Sequence, residues 1–260
     1  MLRPRIIPCL LLKNGGLFKT VKFDSPKYVG DPINAVRIFN EKEVDELIVI
    51  DIDATSQNRE PNYKMIANLA SECRMPLCYG GGIKSVHQVE KLIGLGVEKV
   101  ALGSAAVNTN TLISDAAFRV GSQSITVVMD VKKVGLMRSY EVFTHNGKIR
   151  TRIDPSSLAV QVERLGAGEV LINSIDCDGM MEGYDFDLIS KVRKSISLPI
   201  TALGGAGSVQ DINKMILRFG IIGVAAGSLF IFKGKYRAVL INYPNRNDID
   251  MNINKIEGSS

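Results

Sequence analysis

Short segments of this chain recur, in the same order, about half its length later. Asp31-Pro32 returns as Asp154-Pro155, Glu46 as Glu169 and Gly81-Gly82 as Gly204-Gly205, each at a spacing of 123 residues. Val100-Ala101-Leu102-Gly103-Ser104 returns as Val224-Ala225-Ala226-Gly227-Ser228 at a spacing of 124. One such match is unremarkable; four in one order at nearly one offset are not chance. Self-similarity over so long a period means two copies of one folding plan, and it governs every local assignment. The halves differ where chemistry would sit. The apolar run 125–130 ends in Asp130, whereas its counterpart, residues 6–11, ends in Leu11. The chain reads as a two-carboxylate design that has kept one carboxylate.

Eight short apolar runs carry this plan: residues 5–12, 46–52, 76–79, 99–102, 124–129, 169–172, 199–203 and 223–226. Several are apolar at consecutive positions, the pattern of strands buried on both faces of a parallel sheet. Helical patterns lie between them. Asp31 and Asp154 each precede a proline and predict helix caps, ahead of residues 33–39 and 158–165. Ser85 and Ser208 can cap helices directly after glycine loops, and Gly96 and Gly220 stand where helix ends favour a left-handed residue. Eight strand–helix units with an internal two-fold repeat predict an α/β fold, a (β/α)8 TIM barrel of two half-barrels, rather than an open doubly wound sheet. The expected organisation is a single barrel domain over residues 1–241, its halves about 1–120 and 121–241, followed by a tail over 242–260. Residues 13–29 are long for a strand–helix connection and read as a lid.

The chain has 260 residues, 45% of them hydrophobic and 23% charged, enough to bury one large core. It holds no apolar run near the ~20 residues of a membrane helix. The start, Met1-Leu2-Arg3-Pro4-Arg5-Ile6, reads as the approach to a buried strand, since the short apolar run holds Pro8 and lacks a small-residue cleavage site. Cys9, Cys73, Cys78 and Cys177 are scattered, and His87 and His145 stand alone. That pattern predicts reduced thiols, a cytoplasmic protein, no metal site and no cofactor. The net charge of +5 is spread along the chain, without the basic clusters or stacking rings of a nucleic-acid groove.

In a barrel the strand C-termini form the active face. Leu11, Asp51, Asp130, Asp176 and Asp178 fall there, with glycine loops after four strands. The loops form two matched pairs: Gly80-Gly81-Gly82 with Gly103-Ser104, and Gly204-Gly205-Ala206-Gly207 with Gly227-Ser228. Glycine lets backbone N–H groups approach an anion, and a following helix start adds a favourable field. A duplicated pair predicts two phosphate sites on opposite rims, hence a long small-molecule substrate phosphorylated at both ends; the plainer alternative is tight turns. Asp130 can transfer a proton if partly desolvated; Leu11 cannot. Arg5, Glu46, Lys99 and Glu169 fall at the strand starts, where spacing alone suggests a solvated rim.

Arg5-Ile6-Ile7-Pro8-Cys9-Leu10, Gly30-Asp31-Pro32, Asp45-Glu46-Leu47, Tyr79-Gly80-Gly81-Gly82-Ile83, Gly121-Ser122-Gln123, Ser174-Ile175-Asp176-Cys177-Asp178-Gly179 and Gly204-Gly205-Ala206-Gly207 resemble the cyclase subunit of imidazole glycerol phosphate synthase (HisF) from Met1 to about Phe232. The resemblance implies a lyase-class barrel in histidine biosynthesis. It implies a glutaminase docked on the strand N-terminal face and ammonia crossing the barrel to a bisphosphorylated substrate. It implies that Asp130 is one of two catalytic aspartates and that Lys19 is a lysine of a mobile first loop. Gly81, Gly82, Gly103 and Ser104 fall on one phosphate site; Asp178, Gly179, Gly205, Gly227 and Ser228 fall on the other. Arg5, Glu46, Lys99 and Glu169 match a charged ring at the ammonia entrance, which reverses their reading as a rim. The chain departs from the pattern at the family's first catalytic aspartate, here Leu11, at Asn14-Gly15-Gly16 in the loop opening, at Gly103 for asparagine and at Asp53 for threonine. Cys9-Leu10-Leu11-Leu12-Lys13 and Lys19-Thr20-Val21-Lys22-Phe23 are closer to a divergent branch associated with surface-polysaccharide genes. That likeness implies an alternative: a non-cyclase conduit passing glutaminase-derived ammonia to a sugar amidotransferase that forms an acetamidino group for surface polysaccharide such as O-antigen.

Overall fold

A computed structural model describes residues 3–244. Eight parallel strands close on themselves: β1 (Arg5–Lys13), β2 (Leu47–Asp51), β3 (Leu77–Gly80), β4 (Lys99–Leu102), β5 (Ile125–Val134), β6 (Glu169–Ser174), β7 (Ile200–Leu203) and β8 (Gly223–Ala226). Each pairs with the next, and β8 returns to β1 with Arg5 opposite Gly223. Helices α1 (Pro32–Glu41), α2 (Tyr63–Glu72), α3 (Val86–Gly94), α4 (Asn110–Val120), α5 (Pro155–Arg164), α6 (Phe186–Arg193) and α7 (Val209–Phe219) alternate with the strands, and short helices Ser104–Asn108 and Ser228–Ile231 follow β4 and β8. The fold is a (β/α)8 barrel, and the two-fold repeat maps onto its halves.

The unbroken apolar runs have a direct cause. On β1, Ile6, Leu10 and Leu12 belong to the layer between strands and helices, whereas Ile7, Cys9 and Leu11 belong to a separate cluster with Ile48, Cys78, Ala101, Leu171 and Ala225. That second cluster is the barrel interior. Both faces of the strand are buried, so alternation in direction leaves no alternation in polarity.

The predicted caps form. Asp31 accepts from Asn34 N, Asp154 from Ser156 N and Ser157 N, Ser85 from Gln88 N, and Ser208 makes a reciprocal box with Asp211. Gly96 and Gly220 adopt positive φ after their helices.

Two stretches depart from expectation. Residues 13–29 are not an irregular lid: strands Gly16–Val21 and Asp24–Gly30 extend β1 as an antiparallel ribbon, with Leu11 opposite Phe18 and Leu12 opposite Leu17. The turn is made by Asn14 at φ +48° and Gly15 at φ +81°, an Asn-Gly hairpin signal followed by strand-forming Leu17, Phe18, Thr20 and Val21. A second ribbon extends β5 through Ser139–Thr144 and Ile149–Arg150. The first residues of the expected tail make backbone contacts with the barrel. Asn242 N donates to Phe230 O, and the Tyr243 hydroxyl donates to Ile6 O at 3.0 Å. Residues 245–260 of that tail lie outside the described residues. Among the described residues no helix is long and apolar enough to cross a membrane.

Candidate functional site

A cavity of about 380 Å³ opens across the strand C-terminal ends. All the residues assigned to catalysis or phosphate line it, namely Lys19, Gly81, Gly82, Gly103, Ser104, Asp130, Asp178, Gly179, Gly205, Gly227 and Ser228, and so does Leu11. The two glycine groups fall on opposite rims, since β3 and β4 face β7 and β8 across a closed eight-stranded ring. Leu11 on β1 and Asp130 on β5 face each other in the same way.

The aspartates of this face divide by what satisfies them. Asp51 Oδ1 accepts from the backbone N–H groups of Asp53 and Ala54, and Arg59 pairs with the same carboxylate. Asp176 accepts from Lys133 N at 2.8 Å. Both shape turns. Asp178 accepts from Thr20 Oγ1 at 2.8 Å and Phe23 N at 3.2 Å, which clamps the β1 ribbon to the loop after β6. Burial nevertheless holds its carboxyl above the usual range. Asp130 is different. It lies at the cavity floor, and its hydrogen bond comes from a side chain, Asn173 Nδ2, at 3.1 Å. Burial pushes its carboxyl up to about 7, with the neighbouring Asp178 charge adding to the effect and Asn173 opposing it. A carboxyl that titrates near neutrality can both accept and return a proton at working pH.

Lys19 is buried on the ribbon, and its ammonium donates to the carbonyl of Cys9. Burial lowers its pKa against the pull of Cys9 and Asp178. It packs on the phosphate-type loop of β8, where a Cβ at Gly227 would come within 2.6 Å of its Nζ. The rim glycines have mixed causes. At Gly205, φ +109°, a Cβ would meet Gly183 O at 2.0 Å; at Gly179, φ +67°, it would meet Thr20 O at 2.1 Å. Close backbone packing alone demands these two. At Gly103 nothing lies within 4 Å of a Cβ, so no packed neighbour calls for glycine and the space beside Ser104 stays open to the cavity.

Several cavity residues carry no signal in the sequence. Asn173 reads as an ordinary strand position. His145 and Asn146 reach the cavity because the β5 ribbon folds over it, where His145 N donates to Ser104 Oγ at 2.9 Å. Lys84 lines the cavity as well and donates to Asn58 Oδ1.

At the opposite end of the barrel, Arg5, Glu46, Lys99 and Glu169 make a closed ring. Lys99 Nζ lies 2.9 Å from Glu46 Oε2 and 2.9 Å from Glu169 Oε2; Arg5 lies 2.6 Å from Glu169 Oε1 and also pairs with Glu46. The rim reading from spacing fails here because the carboxylates are almost wholly buried, their side chains 4% and 8% exposed. Burial raises the Glu169 carboxyl, but the attraction of Arg5 and Lys99 wins and leaves it below the ordinary value. Lys99 is raised in turn: burial works against its charge, and Glu169 and Glu46 more than offset it. Between ring and cavity stands the interior cluster with its small members Cys9, Cys78, Ala101 and Ala225. All four cysteines are free. Among the described residues no three His, Cys, Asp or Glu side chains are grouped to hold a metal ion.

Fold and site together define a two-fold (β/α)8 barrel whose cavity occupies the face on which barrel enzymes carry their active sites. The model of one family, the histidine biosynthesis proteins, matches residues 5–237, and the chain belongs to that family. It is 54% identical over 248 residues, covering 95% of this chain and 98% of the relative, to a Leptospira interrogans protein provisionally named imidazole glycerol phosphate synthase subunit HisF. A Pseudomonas aeruginosa relative, provisionally named as subunit hisF2 of the same enzyme, is 51% identical over 251 residues, 96% of this chain and 100% of its own. The imidazole glycerol phosphate synthase subunit HisF of Sulfolobus acidocaldarius is 41% identical over 229 residues, 88% of this chain and 89% of its own.

Proposed function

We propose that this chain is a cyclase-type subunit of the HisF kind. It receives ammonia from a glutaminase docked on the strand N-terminal face and delivers it to a substrate held by phosphates at both rims of the cavity. The observation that carries this reading is the closed Arg5–Glu46–Lys99–Glu169 ring directly beneath the interior cluster that leads to Asp130. Two carboxylates buried with half-buried Arg5 and Lys99 as partners are a poor investment of folding energy for stability alone, because apolar side chains of similar volume do as well or better. A polar gate over a column of small apolar groups suits a small neutral molecule such as ammonia. Thr126 Oγ1, buried on β5 without a partner among the described residues, offers it a hydrogen bond on the way. In this reading Asp130 transfers the proton, Lys19 closes over the substrate, and Gly81, Gly82, Gly103 and Ser104 face one phosphate. Asp178, Gly179, Gly205, Gly227 and Ser228 frame the other. No metal or organic cofactor is required for these steps.

A second reading rests on Leu11. An apolar side chain stands across the cavity from Asp130, where a second proton-transfer group belongs. A subunit of that kind keeps the ammonia path and the docking face and hands ammonia to a sugar amidotransferase for surface polysaccharide, without cyclase chemistry.

Anion binding tests what both readings share. Calorimetric titration with inorganic phosphate or a bisphosphorylated sugar should find two phosphate positions per chain. Ser104→Ala and Ser228→Ala should each weaken one of them by about tenfold to a hundredfold, the worth of one hydrogen bond to a charged group. Saturating ligand at 100 times its Kd should also stabilise the fold by about 2.7 kcal/mol. Absence of phosphate binding at both rims would remove the bisphosphate reading. The two functions separate on product: imidazole glycerol phosphate formed from glutamine and the bisphosphate substrate with the partner present supports the first, and ammonia transfer to a sugar amidotransferase alone supports the second.

A further inference from the structure

Asn173 of β6 stands in register with Asp130 of β5, and both line the cavity. Its Nδ2 donates to Asp130 Oδ1 at 3.1 Å. Its Oδ1 is buried and, among the described residues, has no hydrogen-bond partner. That oxygen is pressed towards Gly204, where a Cβ would approach it to 3.1 Å. A buried acceptor left without a donor costs stability, and a leucine of the same branched shape would carry no such cost. What the amide alone supplies here is an N–H aimed at Asp130. The opposite amide orientation would set two acceptors against each other whenever Asp130 is ionised. A local cost kept beside a group with a chemical task is a mark of function.

We propose that Asn173 is the positioning residue for Asp130, holding its carboxylate at the cavity floor and favouring the ionised form that accepts a proton. This rests on the reading of Asp130 as the proton-transfer group. The amide acts against two other influences. Burial drives Asp130 toward its neutral form, and Asp178, in the loop after β6, adds a like charge. Cys9 of β1 is a further titratable neighbour, and the Lys19 ammonium is anchored on its carbonyl. The amide is thus the neutral group that can bring the carboxyl back into the neutral pH range.

Carbon-detected NMR of the side-chain carboxyls, with Asp130 assigned by its loss in Asp130→Asn, measures the effect directly. Wild-type Asp130 should titrate near 7. In Asn173→Leu the midpoint should rise by about one unit or more, because a donor to the charged form has been removed. The low-pH limb of ammonium-dependent turnover should rise with it. Asn173→Asp keeps the size and carries the test if the leucine variant does not fold. There the two carboxyls should share a proton, and the last one should leave at a higher pH than it does from wild-type Asp130. An Asp130 midpoint unchanged in either folded variant would overturn the proposal. If the midpoint moves while the wild type turns over no substrate, the positioning contact stands and the role assigned to Asp130 falls; if turnover is present and its pH profile ignores the variants, the positioning role falls alone.

Discussion

With saturating ammonium and the bisphosphate substrate, the purified chain should turn over about 10²–10⁴-fold more slowly than barrels of its family that carry aspartate at the position of Leu11, the usual loss when one general acid/base is removed. The geometry makes the deficit specific. Leu11 and Asp130 project into one cavity from opposite strands, and Leu11 packs at the top of the interior cluster beside Ile50, Val128 and Leu203. Among the described residues, the other carboxylates that line the cavity are already engaged. Asp51 is occupied by backbone N–H groups and Arg59, and Asp178 by Thr20 and Phe23. Leu11→Asp should therefore raise kcat by at least tenfold with little change in KM, because the phosphate rims are untouched. Leu11 is only half-buried, so the new carboxylate would keep contact with cavity water and the fold should tolerate it. A wild-type rate equal to that of aspartate-bearing relatives would show that the position is irrelevant. A variant that binds the substrate as before yet gains nothing in kcat would favour the conduit reading, in which Asp130 has no cyclase partner to regain.

Much of this architecture was legible beforehand, and the illegible parts share a cause. The eight strands announce themselves because burial on both faces removes polar residues, and the caps because Asp31, Asp154, Ser85 and Ser208 act on N–H groups two or three residues away. Such local causes survive in a bare sequence. The β1 ribbon is also local, written in Asn14-Gly15, but the length of the segment points to a loop. The ring was not local. Arg5 and Glu169 are 164 positions apart and meet only because the barrel closes. From spacing they look like solvated rim charges, and only the likeness to a known family said otherwise. Asn173 had no signal of either kind: its importance lies in one long-range contact across β5 and β6 and in an unpartnered oxygen. His145 reaches the cavity only through the second ribbon.

Lys99→Ala should destabilise the protein by up to about 3–5 kcal/mol at neutral pH, the cost of leaving buried carboxylates short of a partner, with the lower end expected because the Lys99 side chain is 19% exposed. The pH dependence has a defined sign. Glu169 is held below its ordinary value by Arg5 and Lys99 against the pull of burial. Its contribution to stability is thus complete above the unfolded carboxyl value, near 4.3, and is lost as pH falls through the folded value. The gap between wild type and variant should accordingly be wide at pH 7 and narrow on acidification below about pH 4, which urea unfolding across that range would show. A gap that stays constant or widens would mean that the ring does not act through its carboxylates. The functional consequence follows from where the ring stands. It closes the barrel at the end away from the cavity, so its loss should disturb passage from below before it disturbs binding above. In the assembly with the glutaminase, Lys99→Ala should cut glutamine-dependent product formation severalfold more than formation driven by added ammonium, which reaches the cavity from solvent. Phosphate affinity should remain that of the wild type. Equal loss in both assays would reduce the ring to a structural clamp, and failure of any glutaminase to bind the strand N-terminal face would remove the source of ammonia from the proposed function altogether.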